Sequence, residues 1–162
     1  MTDVLFEQRV VQNPALAAEA IWQAVREAHE ATGRADGVTL PLTFLVLPLT
    51  FHRRTAAVLA GKTQPGAMYK ALADDREITV GLQARMQAMS GKTLQALNIG
   101  FQSGLLRLDA ENSFEITPGK RTPPVTHVTD EVKTILNAAK RVGHAFAEMS
   151  IAQLTANLGI RF

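Results

Sequence analysis

Twelve residues, LPLTFLVLPLTF from Leu40 to Phe51, carry almost no polar group and contain two prolines. The pentapeptide Leu-Pro-Leu-Thr-Phe at 40–44 returns at 47–51, and the run stops at His52-Arg53-Arg54. A bilayer-spanning helix needs roughly 20 apolar residues, so this segment is to be buried in protein, not lipid, and no membrane partner is expected. Pro41 can open a helix, and Pro48 interrupts or kinks it, since proline inside a helix costs about 3 kcal/mol. The reading is therefore a helical segment over 41–60, a short helix opening at 41 and a second from about 48 to 60, ending at Gly61. A seven-residue period displaces equivalent side chains by about 20° around a helix, which puts Leu40 with Leu47 and Phe44 with Phe51 on one stripe. A strand over 42–47 remains open, because short apolar runs do not discriminate the two. Most of the repeat reads as core. Its edge, Phe51, His52, Arg53 and Arg54, reads as exposed to a partner or an anion.

The flanking elements are predominantly helical. Asn13-Pro14 combines a strong N-cap with a residue favoured at the first helical position. Leu16, Ala17, Ala20, Ile21, Ala24, Val25 and Ala28 follow at helical spacing, with Gly33 as terminator, giving a helix over 14–32. After loop 61–66 come a short helix near 66–74 and an amphipathic segment over 77–89 with Ile78, Leu82, Met86 and Met89 in register. Ser90 reads as the cap of a further helix over 91–103. GLLRLDAENSFEIT then alternates on both sides of Asp109-Ala110-Glu111-Asn112, the pattern of a β-hairpin near 105–117. Thr129 caps a long helix over 129–149, and a last helix occupies 151–158. The expected fold is mainly α with one β-hairpin, an α+β chain. The order helix, turn, helix, hairpin between 77 and 117 makes it winged-helix-like.

A chain of 162 residues, 46% hydrophobic and 20% charged, suits one domain with a real core, spanning 1–162. It has no cysteine, which excludes disulfides, thiolate nucleophiles and thiolate-bound zinc. The start, MTDVLFEQRVV, lacks the basic and apolar regions of a secretory signal, and the expected location is cytoplasmic.

Little in the chain suggests catalysis. Gly61-Lys62-Thr63 and Gly91-Lys92-Thr93 resemble the end of a phosphate-binding loop, but the glycine that the loop needs five positions earlier is replaced by Ala56 and Met86. His29, His52, His127 and His144 form no metal-ligand spacing. Asp130-Glu131 suits a helix N-terminus, and the serines lack the strand-turn-helix setting of a nucleophile. The expectation is a non-enzyme without cofactor or metal.

A winged helix raises a DNA reading, for which Lys92, Gln95, Lys120 and Arg121 are the candidate contacts, the first two on the helix that would enter the groove. Asn98 and Gln102 could add to them, yet Asp109 and Glu111 at the hairpin tip would repel phosphates. A formal charge of +2 is also small for a nucleic-acid binder. Contact with protein is the preferred reading. A winged-helix DNA-binding regulator is the alternative.

Four strings, NPALAAEAIW at 13–22, LPLTFLVLPLTFH at 40–52, KTLQALNIGFQSGLL at 92–106 and KRVGHAFAEMSIAQLTANLGIRF at 140–162, together resemble the middle component of three-component ABC ATPase systems, the Lamassu-like anti-phage defence group. One departure is His144-Ala145 before Phe146, where that family often carries an aromatic. The resemblance implies a small non-catalytic adaptor that binds an SMC- or Rad50-like coiled-coil ATPase and links or restrains an effector subunit, with DNA met through the complex. An adaptor needs apolar surface beyond its own core. Exposed aromatics, among them Phe162 at the end of the chain, are the candidates for it.

Overall fold

The computed structural model of the chain describes residues 13–62, 64, 66–124 and 129–162. The segment read for a secretory signal, Thr63 and His127 lie outside the described residues. Helix α1, Pro14–Ala31, starts as its sequence requires: the Leu16 N–H donates to Asn13 Oδ1 at 3.1 Å, with Pro14 in the first turn. Its burial extends beyond one face, because Ala18, Trp22 and Gln23 are buried along with the expected stripe. It is the central helix, against which most of the other long elements pack.

The helix expected over 41–60 is interrupted, as Pro48 requires, but twice rather than once. The segment makes three short helices: α2, Leu40–Thr43; α3, Val46–Thr50; and α4, Arg53–Ala60. The ring of Pro48 would meet the carbonyl of Phe44 if helix ran through both, so α2 must stop before α3 begins. In α3 the proline falls within the first turn, where its missing N–H is not needed. The paired stripe is lost with the break: Leu40 is 47% exposed while Leu47 is fully buried, and Phe44 is half-buried while Phe51 is 3% exposed. The core assignment stands, since Leu42, Leu45, Val46, Leu47, Leu49 and Phe51 are all buried. The two threonines of the repeat bury their hydroxyls by bonding back along the chain, Thr43 to the Leu40 carbonyl at 2.7 Å and Thr50 to that of Val46 at 2.8 Å.

Helix α5, Ala67–Asp74, and a 3-10 turn at Arg76–Ile78 lead into α6, Leu82–Ser103. Here the expected division into helices 77–89 and 91–103 fails. Ser90 is no cap: its hydroxyl donates to the Gln87 carbonyl at 2.9 Å and the helix continues through Gly91. A mid-helix glycine costs about 1 kcal/mol, but continuity keeps Met86, Ala96, Leu97 and Gly100 on the buried side. The order helix, turn, helix, hairpin expected between 77 and 117 is therefore not found: a 3-10 turn and one continuous helix precede the hairpin.

Helix α6 ends at Gly104, whose φ of 80° is left-handed and suits glycine. Strands β1, Leu106–Asp109, and β2, Glu115–Pro118, then pair antiparallel, with Leu108 opposite Ile116. Val38 adds a short third rung, exchanging two 2.8 Å main-chain bonds with Ile116. β1 lies against α6 and β2 against α1.

Helix α7, Asp130–Glu148, is capped by Thr129 as its sequence predicts, the Val132 N–H donating to Thr129 Oγ1 at 3.3 Å. It packs on α1 so closely that a Cβ at Gly143 would sit 2.3 Å from the Ala24 carbonyl oxygen. Helix α8, Ile151–Leu158, opens with a reciprocal capping box between Ser150 and Gln153 and buries Leu154 and Leu158. The fold is mostly helical with one two-stranded antiparallel hairpin, an α+β architecture.

Candidate partner-binding surfaces

The C-terminal end of the chain is tied to α6 by one side chain. The Arg161 N–H donates to Gln83 Oε1 at 2.8 Å, and Gln83 Nε2 donates to the Arg161 carbonyl at 3.1 Å. This clamp sets Phe162, 51% exposed, beside Leu40 and Pro41 of α2, Phe44 just after it and Met86 of α6. Together with Gln87, Ser90 and Gly159 they line an open groove of about 850 Å³. Apolar walls with an amide rim resemble the buried centre and polar edge of a protein interface.

Along α6 the accessible side is unusual. Ala84, Gln87, Ala88, Gly91, Leu94, Gln95, Asn98 and Gln102 are all exposed, and none carries a charge. Surfaces that stay in water are normally rich in Lys, Arg, Glu and Asp, whereas interface centres are depleted of them.

Three of the four residues expected at the repeat's edge have roles within the fold. Phe51 belongs to the core and is not a surface contact, a correction that follows from the break at Pro48 turning it inward. His52 caps α4, its Nδ1 accepting from the Thr55 N–H at 3.4 Å and lying 2.8 Å from Thr55 Oγ1. Arg54 pairs with Glu77 and reaches Asp75 Oδ2 at 3.8 Å. Arg53 is exposed next to it.

The candidate DNA contacts are not brought together. Lys92 and Gln95 sit midway along α6, whereas the Arg121 N–H donates to the Gly104 carbonyl at 3.1 Å, past the helix end, with the exposed Lys120 next to it. The twelve-residue separation of Lys92 from Gly104 is about 18 Å along the axis at 1.5 Å per residue. His144, half-exposed, pairs through Nε2 with Glu27 Oε2 at 3.0 Å and so links α7 to α1. His29 Nδ1 lies 2.8 Å from the Asp36 carbonyl, closing the loop after α1.

Sequence reasoning overlooked two residues that shape this end of the molecule. Arg85 spreads its guanidinium over three carbonyls, with Nε on Pro48 at 3.2 Å, Nη1 on Val80 at 2.9 Å and Nη2 on Ile78 at 3.3 Å. Burial lowers its pKa below the usual arginine value. Gln83 was equally invisible, since its partner is 78 residues away and no local pattern marks it.

Among the described residues no helix is long and apolar enough to cross a membrane, and no group of three His, Asp or Glu side chains is placed to hold a metal. No curated protein and no solved structure matches the chain. The family model that does match, over residues 1–162, is that of Middle Component 3 of the ABC-three component (ABC-3C) systems. A full-length match of this kind carries the coarse identity that the surfaces call for: the chain belongs to the Middle Component 3 family, one part of a multi-component ABC system.

Proposed function

We propose that the chain is a non-catalytic adaptor that binds an SMC- or Rad50-like ABC ATPase in the cytoplasm and links or restrains an effector, as in Lamassu-like anti-phage defence. The observation that carries this reading is the full-length match to a middle-component family. A middle component implies protein partners, and the groove beside Phe162 and the uncharged side of α6 supply surface suited to them.

A non-catalytic role is supported by how the polar side chains are used. Glu27 is engaged with His144, Arg54 with Asp75 and Glu77, and Arg85 with main-chain carbonyls. These are structural bonds, each joining separate elements of the chain.

Co-expression with the two other components of its system is the direct test. The expected result is a stable complex that contains the ATPase. Failure of the chain to associate with either component would remove the adaptor reading. Specific duplex binding by the isolated chain, weakening steeply with salt, would replace it with a DNA-binding regulator.

A further inference from the structure

We infer that the hairpin tip is an aromatic anchor: Phe114 enters an apolar pocket of a protein partner whose rim carries Lys and Arg. This rests on the adaptor reading and names one contact that the adaptor makes. Phe114 is 65% exposed at the end of the hairpin. Both it and Ser113 have left-handed backbones, with φ of 58° and 55°. A bulky side chain is disfavoured in that region, where glycine or asparagine sits more easily. Phe114 thus adds little to the chain's own core and occupies a position that its backbone disfavours. Features that gain nothing within the molecule point to a use outside it.

The tip is also held in place before any partner arrives. Asp109 accepts from the Glu111 N–H at 3.1 Å and from Asn112 Nδ2 at 3.2 Å, and the Glu115 N–H donates to the Asn112 carbonyl at 3.1 Å. Glu115 Oε2 in turn accepts from the Gly37 N–H at 2.8 Å, fixing the hairpin to the loop before α2. An aromatic presented on a pre-ordered support loses little freedom on binding. Leu108 on β1, 49% exposed, is a second accessible apolar side chain of the hairpin.

Charge selects the partner's chemistry. Asp109, Glu111 and Glu115 lie within five residues of Phe114 in the hairpin, and no Lys or Arg lies between Arg107 and Lys120. Such a tip is repelled by phosphates and attracted to a basic rim. The occupant of the pocket is the tip, and the pocket belongs to another protein.

The test measures binding of the full chain to each of the two other components of its system, purified with an affinity tag. Phe114→Ala and Phe114→Asn should weaken association by about ten-fold or more, as removal of an aromatic anchor does. Because asparagine tolerates the left-handed backbone, Phe114→Asn should leave the melting temperature unchanged or raised. Glu111→Lys should weaken binding several-fold, and the wild-type affinity should fall as salt rises. Photocrosslinking from benzoylphenylalanine at position 114 should capture protein flanked by basic residues. Affinity of Phe114→Asn within about two-fold of wild type, crosslinking to DNA, or a melting temperature lowered by several degrees would overturn the inference while leaving the adaptor reading intact. If neither component binds the unmodified chain, the adaptor reading fails and takes this inference with it.

Discussion

Gln83 holds Arg161 by both of its main-chain polar groups, accepting from the N–H at 2.8 Å and donating to the carbonyl at 3.1 Å across 78 residues of sequence. A side-chain amide satisfies both because it carries a donor and an acceptor in one plane. Gln83→Glu keeps the acceptor and removes the donor, and Gln83→Ala removes both. Each exposed bond contributes about 0.5–1 kcal/mol, so Ala should cost roughly twice what Glu does. Amide exchange at Arg161 should accelerate in Gln83→Ala, which loses the acceptor of its N–H, and much less in Gln83→Glu, which keeps it, while exchange in α1 stays unchanged.

Gly143→Ala sets two effects against each other. Helix propensity alone favours alanine by about 1 kcal/mol. The added Cβ would stand 2.3 Å from the Ala24 carbonyl oxygen, and backbone cannot yield as a side chain can. The expected result is net destabilisation of about 2 kcal/mol or more, a fall in melting temperature of roughly 4–8 °C. An unchanged or higher melting temperature would mean that α1 and α7 are farther apart than described.

Arg85 should resist even its conservative replacement. Carbonyls from two segments, Pro48 of α3 and Ile78 and Val80 just before α6, match the fork of a guanidinium, and a lysine ammonium cannot reach all of them. Arg85→Lys should lower unfolding free energy in urea by about 1–2 kcal/mol, with the slope of the transition unaltered.

Glu19 gives a pH signature. Desolvation by burial raises its pKa above the ordinary 4.5, so the folded state holds the proton more tightly than the unfolded one. The linked stability is fully present below the unfolded pKa and is lost as pH rises through the folded one. Glu19→Gln should therefore melt higher than wild type at pH 7, and the difference should vanish below pH 4.

Phe51 and Phe162 separate core from surface. Phe51→Ala should cost about 3–5 kcal/mol, because the ring is 3% exposed. Phe162→Ala should leave the melting temperature nearly unchanged and weaken association with whichever component covers the groove. If both variants alter only stability, the groove is not an interface.

The features legible in the sequence were those with local causes. Asn13 before Pro14, Thr129 before an acidic turn, and alternation about Asp109–Asn112 each specify an element through neighbouring residues, and each is present. The interruption of the apolar repeat was legible through Pro48, whose ring meets the carbonyl four residues back, whereas the second break, at Phe51-His52, carries no proline to mark it. Ser90 misled for a related reason: its hydroxyl serves a cap or a back-bond equally well, and burial of Met86 and Leu97 on one continuous helix decides between them. The groove and the Arg85 fork draw on residues far apart in the chain. No reading that proceeds along the sequence brings Leu40, Met86 and Phe162 together.

The absence of formal charge from the accessible side of α6 bears on how the chain must be produced. Only the partly buried Lys92 at its flank opposes two newly made copies along the middle of that side, and Leu94 there invites them together. Surplus polypeptide should therefore form concentration-dependent aggregates. The soluble yield in a host should track the ratio in which the companion messages are translated.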